Sequence, residues 1–473
     1  SYISGYLIDN SDIEWKLFKL SFPLIFTTFL LNSIILNIVK RINLLNKQLI
    51  TIFILIPFWI ILHINWTSLK CISIIFIFSF ILILIINLTK KQLIGWLFCI
   101  IFILKIFDLI SFSKEPIKYY LEFNLYLYST IKLINLSIYL SKYKKNFNLN
   151  LFCSIAEYLL YPTYSISLIV SFEDFQKQFS SSFINKTPTF KFINLIKSFL
   201  KLFCYFSLLE LLLHLCKVNA LFNSPFVMLQ NFNNYELISI AYIAGQLFHL
   251  KYYLIFGIPN IFAKIDGMKP NSLPICISHI SKYSQMWRYF DRGLYLFLKN
   301  QLYIPLLNYQ FTSSKIPQLN LFINLILFRK ILATFSVFIF VLIWHGFNSN
   351  FCWWVSLSAF SLLIERLPIN QFIQQKLIKI KLSPSTNIRL KCIFMLTALI
   401  PGIFGIFFFL GHGLIGNYIF FKILLQGFKQ IFTLQISIGN PGWVMIHLII
   451  LGYFFNNTSL FIEEKKKKKG NNI

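Results

Sequence analysis

The apolar residues of this chain gather into runs of about 20, the length a helix needs to cross a bilayer. They stand at roughly 17–38, 49–68, 71–88, 92–111 and 117–140, then at 192–216, 234–256, 319–345, 350–367, 389–411 and 441–462. A chain that is 57% hydrophobic and 13% charged falls well below the ~25% charged residues of a soluble domain. The fold class that follows is an all-α multi-pass membrane protein with ten to twelve membrane elements in one fold unit. No internal repeat of 20–50 residues marks a solenoid.

The net charge of +28 comes almost wholly from Lys, with Arg only at 41, 288, 292, 329, 366 and 389. No basic stripe interleaves with a soluble fold, so a nucleic-acid partner is excluded. Lys in short loops suits the positive-inside rule and anionic headgroups, and makes the lipid bilayer the first partner. The eight cysteines show no CxxC and no paired spacing. Most lie in apolar runs, where a thiol acts as a small hydrophobe and no disulfide framework is expected. The chain begins at Ser1, so its true start is missing, and the first apolar run is long enough to remain as a span.

Residues 1–16 hold Asp9, Asp12, Glu14 and Trp15 and read as an interfacial segment. Residues 17–462 form the membrane domain. Residues 463–473 form a basic tail, expected to be disordered and cytosolic. Only Thr89, Lys90 and Lys91 separate two spans, which predicts a tight hairpin. The run 117–140 contains Glu122, Lys132 and Asn135 and reads as tilted or interfacial. Pro162 predicts a break, and SFEDFQKQF after it reads as an amphipathic surface helix. Residues 176–190 read as a polar linker. Pro259, Gly267, Pro270 and Pro274 predict a loop or re-entrant segment over 258–285. The short run 412–427, broken by Gly413, Gly416 and Asn417, reads as re-entrant.

Two places could carry chemistry. The stretch from Cys276 to Leu306 ends in MWRYFDRGLYLFLKNQLYIPL and sets Arg288, Asp291 and Arg292 among aromatics. His345 stands between Trp344 and Gly346 at the end of an apolar run. An ionisable residue in such a run is a functional hypothesis, because burying it is costly. A His in an apolar run can equally be a core residue bonded to a neighbouring helix. As a general base it must be the neutral imidazole. Asp291 can pair with Arg288, which at i−3 shares its helical face, or can orient a base or nucleophile across a cavity. Cys276 alone is a buried thiol. The chain has no zinc-type cluster, phosphate loop or GxSxG.

The pairing of WRYFDRGL…YIPL with a later WHG in an apolar helix resembles the membrane-bound O-acyltransferase family. Asp291, where most branches have Asn, makes MWRYFDRGL similar to the hedgehog acyltransferase branch. DNSDIEW (Asp9 to Trp15), EYLLYP…SLIVSFEDF (Glu157 to Phe175) and FFLG (Phe408 to Gly411) resemble that branch too, so the likeness spans nearly the whole chain. The resemblance implies a ring of helices around a central tunnel, with His345 and Asp291 catalytic. Trp287 would gate the tunnel and Arg288 would line the substrate site. Cys276 matches a cysteine that is an axial ligand to haem b iron, with a structural role. The implied reaction is transfer of palmitate from palmitoyl-CoA to the N-terminal cysteine amine of a Hedgehog-type signal protein, in the endoplasmic reticulum membrane.

The chain departs from the branch in three places. Ser167-Leu168 replaces Gly-Pro, NYQFTSSKIPQLN lengthens the segment before His345, and Gly413 stands where a polar Asn is expected. Two other readings compete: a glycerol-uptake or lipid-remodelling acyltransferase of the same family, and a membrane transporter. A transporter should show repeated halves with broken helices, and no such symmetry is visible.

Overall fold

The computed structural model describes residues 2–3, 6–42, 46, 49–50, 66–104, 112–143, 148–184, 192–223, 226–308, 326–366, 384–411 and 414–470. The described chain is helical apart from one two-residue antiparallel ribbon, Tyr2–Ile3 with Tyr6–Leu7. Among the described residues, four helices are long and apolar enough to cross a membrane: Ile13–Arg41, Phe328–His345, Ile388–Leu410 and Pro441–Glu463. Most of the expected span 49–68 and all but Asn308 of the insertion 308–320 lie outside the described residues.

The chain gathers into two compact units. The first comprises Ser1–Ser11, Leu211–His249 and Pro274–Ile473; the second comprises Asp12–Glu210 and Leu250–Leu273.

The second unit is organised on the helix Pro116–Tyr143. The sequence reads this helix as tilted or interfacial, yet most of its residues are buried, Glu122, Lys132 and Asn135 included. Lys132 and Glu122 find backbone partners. Lys132 Nζ donates to the carbonyls of Tyr158 (2.9 Å) and Leu159 (3.1 Å). Those carbonyls lie at the end of the helix Leu149–Leu160, where the orphan C=O groups and the helix dipole favour a cation. Glu122 Oε2 accepts from Ser113 N at 3.0 Å. The helices Trp66–Thr89 and Gln92–Leu104 form the expected hairpin, closed on Phe78–Phe102 at 4.3 Å.

Four expectations in this unit change. The helix Ile13–Arg41 starts inside the supposed interfacial segment. Asp12 is its N-cap, accepting from Trp15 N, and also pairs with buried Lys251 at 2.7 Å. Glu14 meets the same Lys251 at 2.9 Å, and Trp15 Nε1 donates to Glu210 at 2.9 Å. The Asp12 and Glu14 carboxylates are thus drawn onto Lys251 of the helix Asn234–Ile265. The helix Phe172–Ile184 does not lay its apolar stripe on lipid, and it runs through much of the supposed linker. Phe172, Phe175 and Phe179 are buried, packed on Tyr158 and Tyr161. The helix Asn234–Ile265 runs through Pro259, where a loop is expected. The break at Pro162 is present: Leu149–Leu160 ends and a 3-10 turn follows over Pro162–Tyr164.

In the first unit the helices Ser349–Arg366 and Pro384–Leu410 lie side by side. Gly405 permits the approach, since a Cβ there would stand 3.1 Å from Leu357 Cβ. The helix Pro441–Gly470 packs along Pro384–Leu410, with Asn456 Nδ2 donating to Cys392 O at 3.2 Å. It continues through the lysine run, so the tail expected to be disordered is helical to Gly470. The run 412–427, expected as re-entrant, belongs from Ile415 onward to one continuous helical stretch that ends at Phe432, with a π turn at Phe420–Leu425. Gly413 lies outside the described residues.

Candidate active site

Everything described here lies in the first unit. From Pro274 the segment bearing the central motif runs through irregular chain and a 3-10 turn, Ile277–His279, before two short helices, Tyr283–Tyr289 and Arg292–Phe297. Its start is anchored three ways. The amide of Gln285 accepts from Ser281 N at 2.9 Å and Lys282 N at 3.2 Å, and donates to Glu463. Ser281 Oγ also donates to Glu463, at 3.1 Å. Ser284 N donates to Glu365 Oε2 at 2.9 Å, and its hydroxyl reaches Oε1. Tyr283 is buried against Gly402, and its hydroxyl pairs with Ser358 Oγ at 2.8 Å. Sequence reasoning missed Glu365 and Glu463. The available signal was their rarity, two of only 16 acidic residues.

The motif is not one continuous helix. It breaks at Asp291, whose extended backbone makes it the N-cap of Arg292–Phe297, with Oδ1 accepting from Leu294 N at 2.9 Å. That break removes the helical face on which Arg288 and Asp291 were expected to pair. Neither arginine forms an ion pair with Asp291 among the described residues. The guanidiniums lie instead over Tyr289 and Tyr295: Arg288 at 5.9 Å from each centroid, Arg292 at 5.8 and 5.3 Å.

His345 ends the helix Ile326–His345, and Gly346 follows with φ +91°. A left-handed residue at this point is the usual helix terminator, and glycine adopts it without steric cost. The imidazole is held by rings: Trp354 edge-on at 5.2 Å, Phe409 edge-on at 5.4 Å and Phe351 at 5.7 Å. Trp287 stacks on the same Trp354 at 5.5 Å and meets Phe338, seven residues before His345, edge-on at 5.0 Å. A second ring path runs from Phe409 through Phe248 to Phe290, each step 5.5 Å. Two ring paths therefore connect His345 to the segment bearing Trp287 and Asp291. Phe409 lies in the FFLG motif read above, but Trp354, Phe351 and Phe248 were not singled out in the sequence, where 55 Phe give no contrast.

Cys276 precedes a 3-10 turn, Ile277–His279, and is half-buried. Beside it, Ile277 Cδ1 fills the space over Gly245, at 3.6 Å from an added Cβ. Ser278 Oγ is engaged by Gln246 (3.0 Å) and Tyr242 (3.1 Å). Among the described residues no three His, Cys, Asp or Glu side chains converge. The haem expectation at Cys276 is therefore not supported.

A sequence profile described as MBOAT, membrane-bound O-acyltransferase family, matches residues 72–421. The protein-cysteine N-palmitoyltransferase HHAT of Mus musculus is 28% identical over 299 residues, which is 62% of this chain and 54% of that protein. The protein-cysteine N-palmitoyltransferase Rasp of Drosophila melanogaster is 33% identical over 129 residues, 27% of this chain and 23% of that protein. The membrane-bound O-acyltransferase GUP2 of Saccharomyces cerevisiae is 25% identical over 223 residues, 47% of this chain and 33% of that protein. The aligned part thus spans about half or less of each relative's length.

Proposed function

This chain belongs to the membrane-bound O-acyltransferase family, and from that membership we propose that it moves palmitate from palmitoyl-CoA to the N-terminal amine of a cysteine. The acceptor is a Hedgehog-type secreted signal protein, and the membrane is that of the endoplasmic reticulum. The observation that carries the reading is His345, set at a glycine-terminated helix end and connected through Trp354 to Trp287 of the central motif. The two relatives of stated activity named as protein-cysteine N-palmitoyltransferases point the same way.

The chemistry suits the residues. An α-amine has a pKa near 8, so at neutral pH it is mostly protonated and a poor nucleophile. His345, as a neutral imidazole, takes the proton as the nitrogen attacks the thioester carbonyl. The tetrahedral adduct then expels the CoA thiolate, which leaves with a proton. Asp291 holds the amine and offsets the positive charge that develops on it, an interaction strengthened where water is scarce. Trp287 and Arg288 border the acyl donor.

The test is transfer of labelled palmitate from palmitoyl-CoA to a short peptide beginning in cysteine, with an N-acetylated peptide and a lysophospholipid as competing acceptors. Transfer to the free-amine peptide alone is expected, and His345→Ala should lower it on the order of a hundredfold or more. Transfer to the lipid alone would replace this reading with the lipid-remodelling one.

A further inference from the structure

Arg292 has no role in the reaction as derived above, although it lies next to Asp291. Its guanidinium and that of Arg288 share the same two tyrosine rings, at 5.3–5.9 Å. Two like charges are thus held around one aromatic frame, and among the described residues neither meets a carboxylate. The acid between them, Asp291, spends Oδ1 on the backbone of Leu294. Arg288 is exposed and Arg292 half-buried, so a ligand can reach both. Cation–π contacts fix where the guanidiniums sit but leave their charge uncompensated. A pair of planar, permanently charged forks in this state is a site for a dianion, and phosphate oxygens match the fork geometry.

We propose that Arg288 and Arg292, framed by Tyr289 and Tyr295, form a two-guanidinium fork that binds a phosphate group of the coenzyme A donor. The assignment of the ligand rests on the acyltransferase reading. The placement agrees with it. Gln285, three residues before Arg288, is bonded to Glu463, and the helix bearing Glu463 runs on into lysines 465–469. Lysine-dense ends of spans lie on the cytosolic side, from which a coenzyme A thioester arrives. Arg292 is thereby a specificity residue: it distinguishes a phosphate-bearing donor from the same pantetheine arm without phosphates.

The test compares coenzyme A with pantetheine by titration calorimetry on the purified full chain in neutral detergent. Wild type is expected to prefer coenzyme A, and Arg292→Gln to shrink that preference about tenfold, the scale of one lost charge-assisted hydrogen bond. Arg292→Lys should fall between, and Tyr295→Leu, which removes the ring, should lower the preference as well. In the transfer assay, Arg292→Gln should raise KM for palmitoyl-CoA more than it lowers kcat. An unchanged preference in both Arg292 variants overturns the fork, as does an equal weakening of both ligands. A third arm adds short-chain phosphatidic acid. If it binds in an Arg292-dependent way while coenzyme A does not, the phosphate belongs to a lipid headgroup and the assignment to the donor is wrong. Titration needs no acceptor and no turnover. A wild type that binds coenzyme A but transfers nothing therefore refutes the acyltransfer reading, and one that transfers normally while its coenzyme A affinity ignores Arg292 refutes the fork.

Discussion

The Tyr283–Gly402 contact yields a prediction whose size can be worked out. Gly402 lies next to Pro401 in the helix Pro384–Leu410, and a Cβ built there would stand 2.2 Å from Tyr283 Cε2, 2.3 Å from Cδ2 and 2.6 Å from Cζ. Ordinary contact begins at 3.4 Å, so the ring would have to retreat by more than an ångström. It has little freedom to do so: it is 1% exposed, its hydroxyl is tied to Ser358, and the next two residues are bonded to Glu365 and Glu463. Overpacking of this kind costs about 1–3 kcal/mol. Losing the Tyr283–Ser358 bond adds about 0.5–1.5 kcal/mol, while the better helix propensity of alanine returns about 1 kcal/mol. The net expectation for Gly402→Ala is a destabilisation of about 1–3 kcal/mol. It should be read as a lower midpoint for thermal loss of monodisperse protein in detergent, with reduced transfer because the displaced ring begins the helix that carries Trp287. In a Tyr283→Ala background the obstacle is gone, and Gly402→Ala should become neutral or stabilising by about 1 kcal/mol. Equal destabilisation in both backgrounds would refute the reasoning, because the ring would then not be what the added methyl meets.

Three further outcomes are expected. Asp291→Asn should keep stability, since Asn caps a helix as well as Asp, yet lose transfer on the order of a hundredfold; Asp291→Ala should also lose about 1 kcal/mol. Near-normal turnover in Asp291→Asn would reduce Asp291 to a cap. Lys251→Met should lower stability by about 1–3 kcal/mol, a discounted value because the Asp12 and Glu14 side chains it leaves are 22% and 38% exposed; a thermal midpoint equal to wild type would argue against the ion pairs. Purified wild type should show no Soret band, and Cys276→Ala should keep its stability within about 1 kcal/mol, whereas a band that disappears in Cys276→Ala would restore the haem ligand.

Which parts of this molecule could be read from sequence follows from what each signal depends on. The four described helices long and apolar enough to cross a membrane were legible because length and apolarity are local properties, and Thr89-Lys90-Lys91 marked a hairpin for the same reason. The helix end at His345 was legible because Gly346 follows it, a residue free to take the left-handed conformation found there. Lys132 misled, since its partners are the carbonyls of Tyr158 and Leu159, which no side-chain pattern reveals. The motif around Asp291 suggested one helix face, but an N-capping carboxylate breaks the helix there. The packing of rings around His345 could not be read because Phe351, Trp354 and Phe409 come from two later helices.

The double attachment of the Tyr283–Tyr289 helix bears on how this protein can be dissected. Its ties run to Glu365 and to Glu463, more than 75 and 175 positions downstream. A fragment cut to contain both signature motifs, such as residues 274–346, would carry every diagnostic letter and none of the supports that aim them. Grafting those motifs into another helical scaffold would fail for the same reason. Substitutions far along the last helix, remote in sequence from any reacting atom, would be felt at Trp287. The motif lettering falls within one stretch of sequence, but its geometry is a collective property of the unit and is not portable.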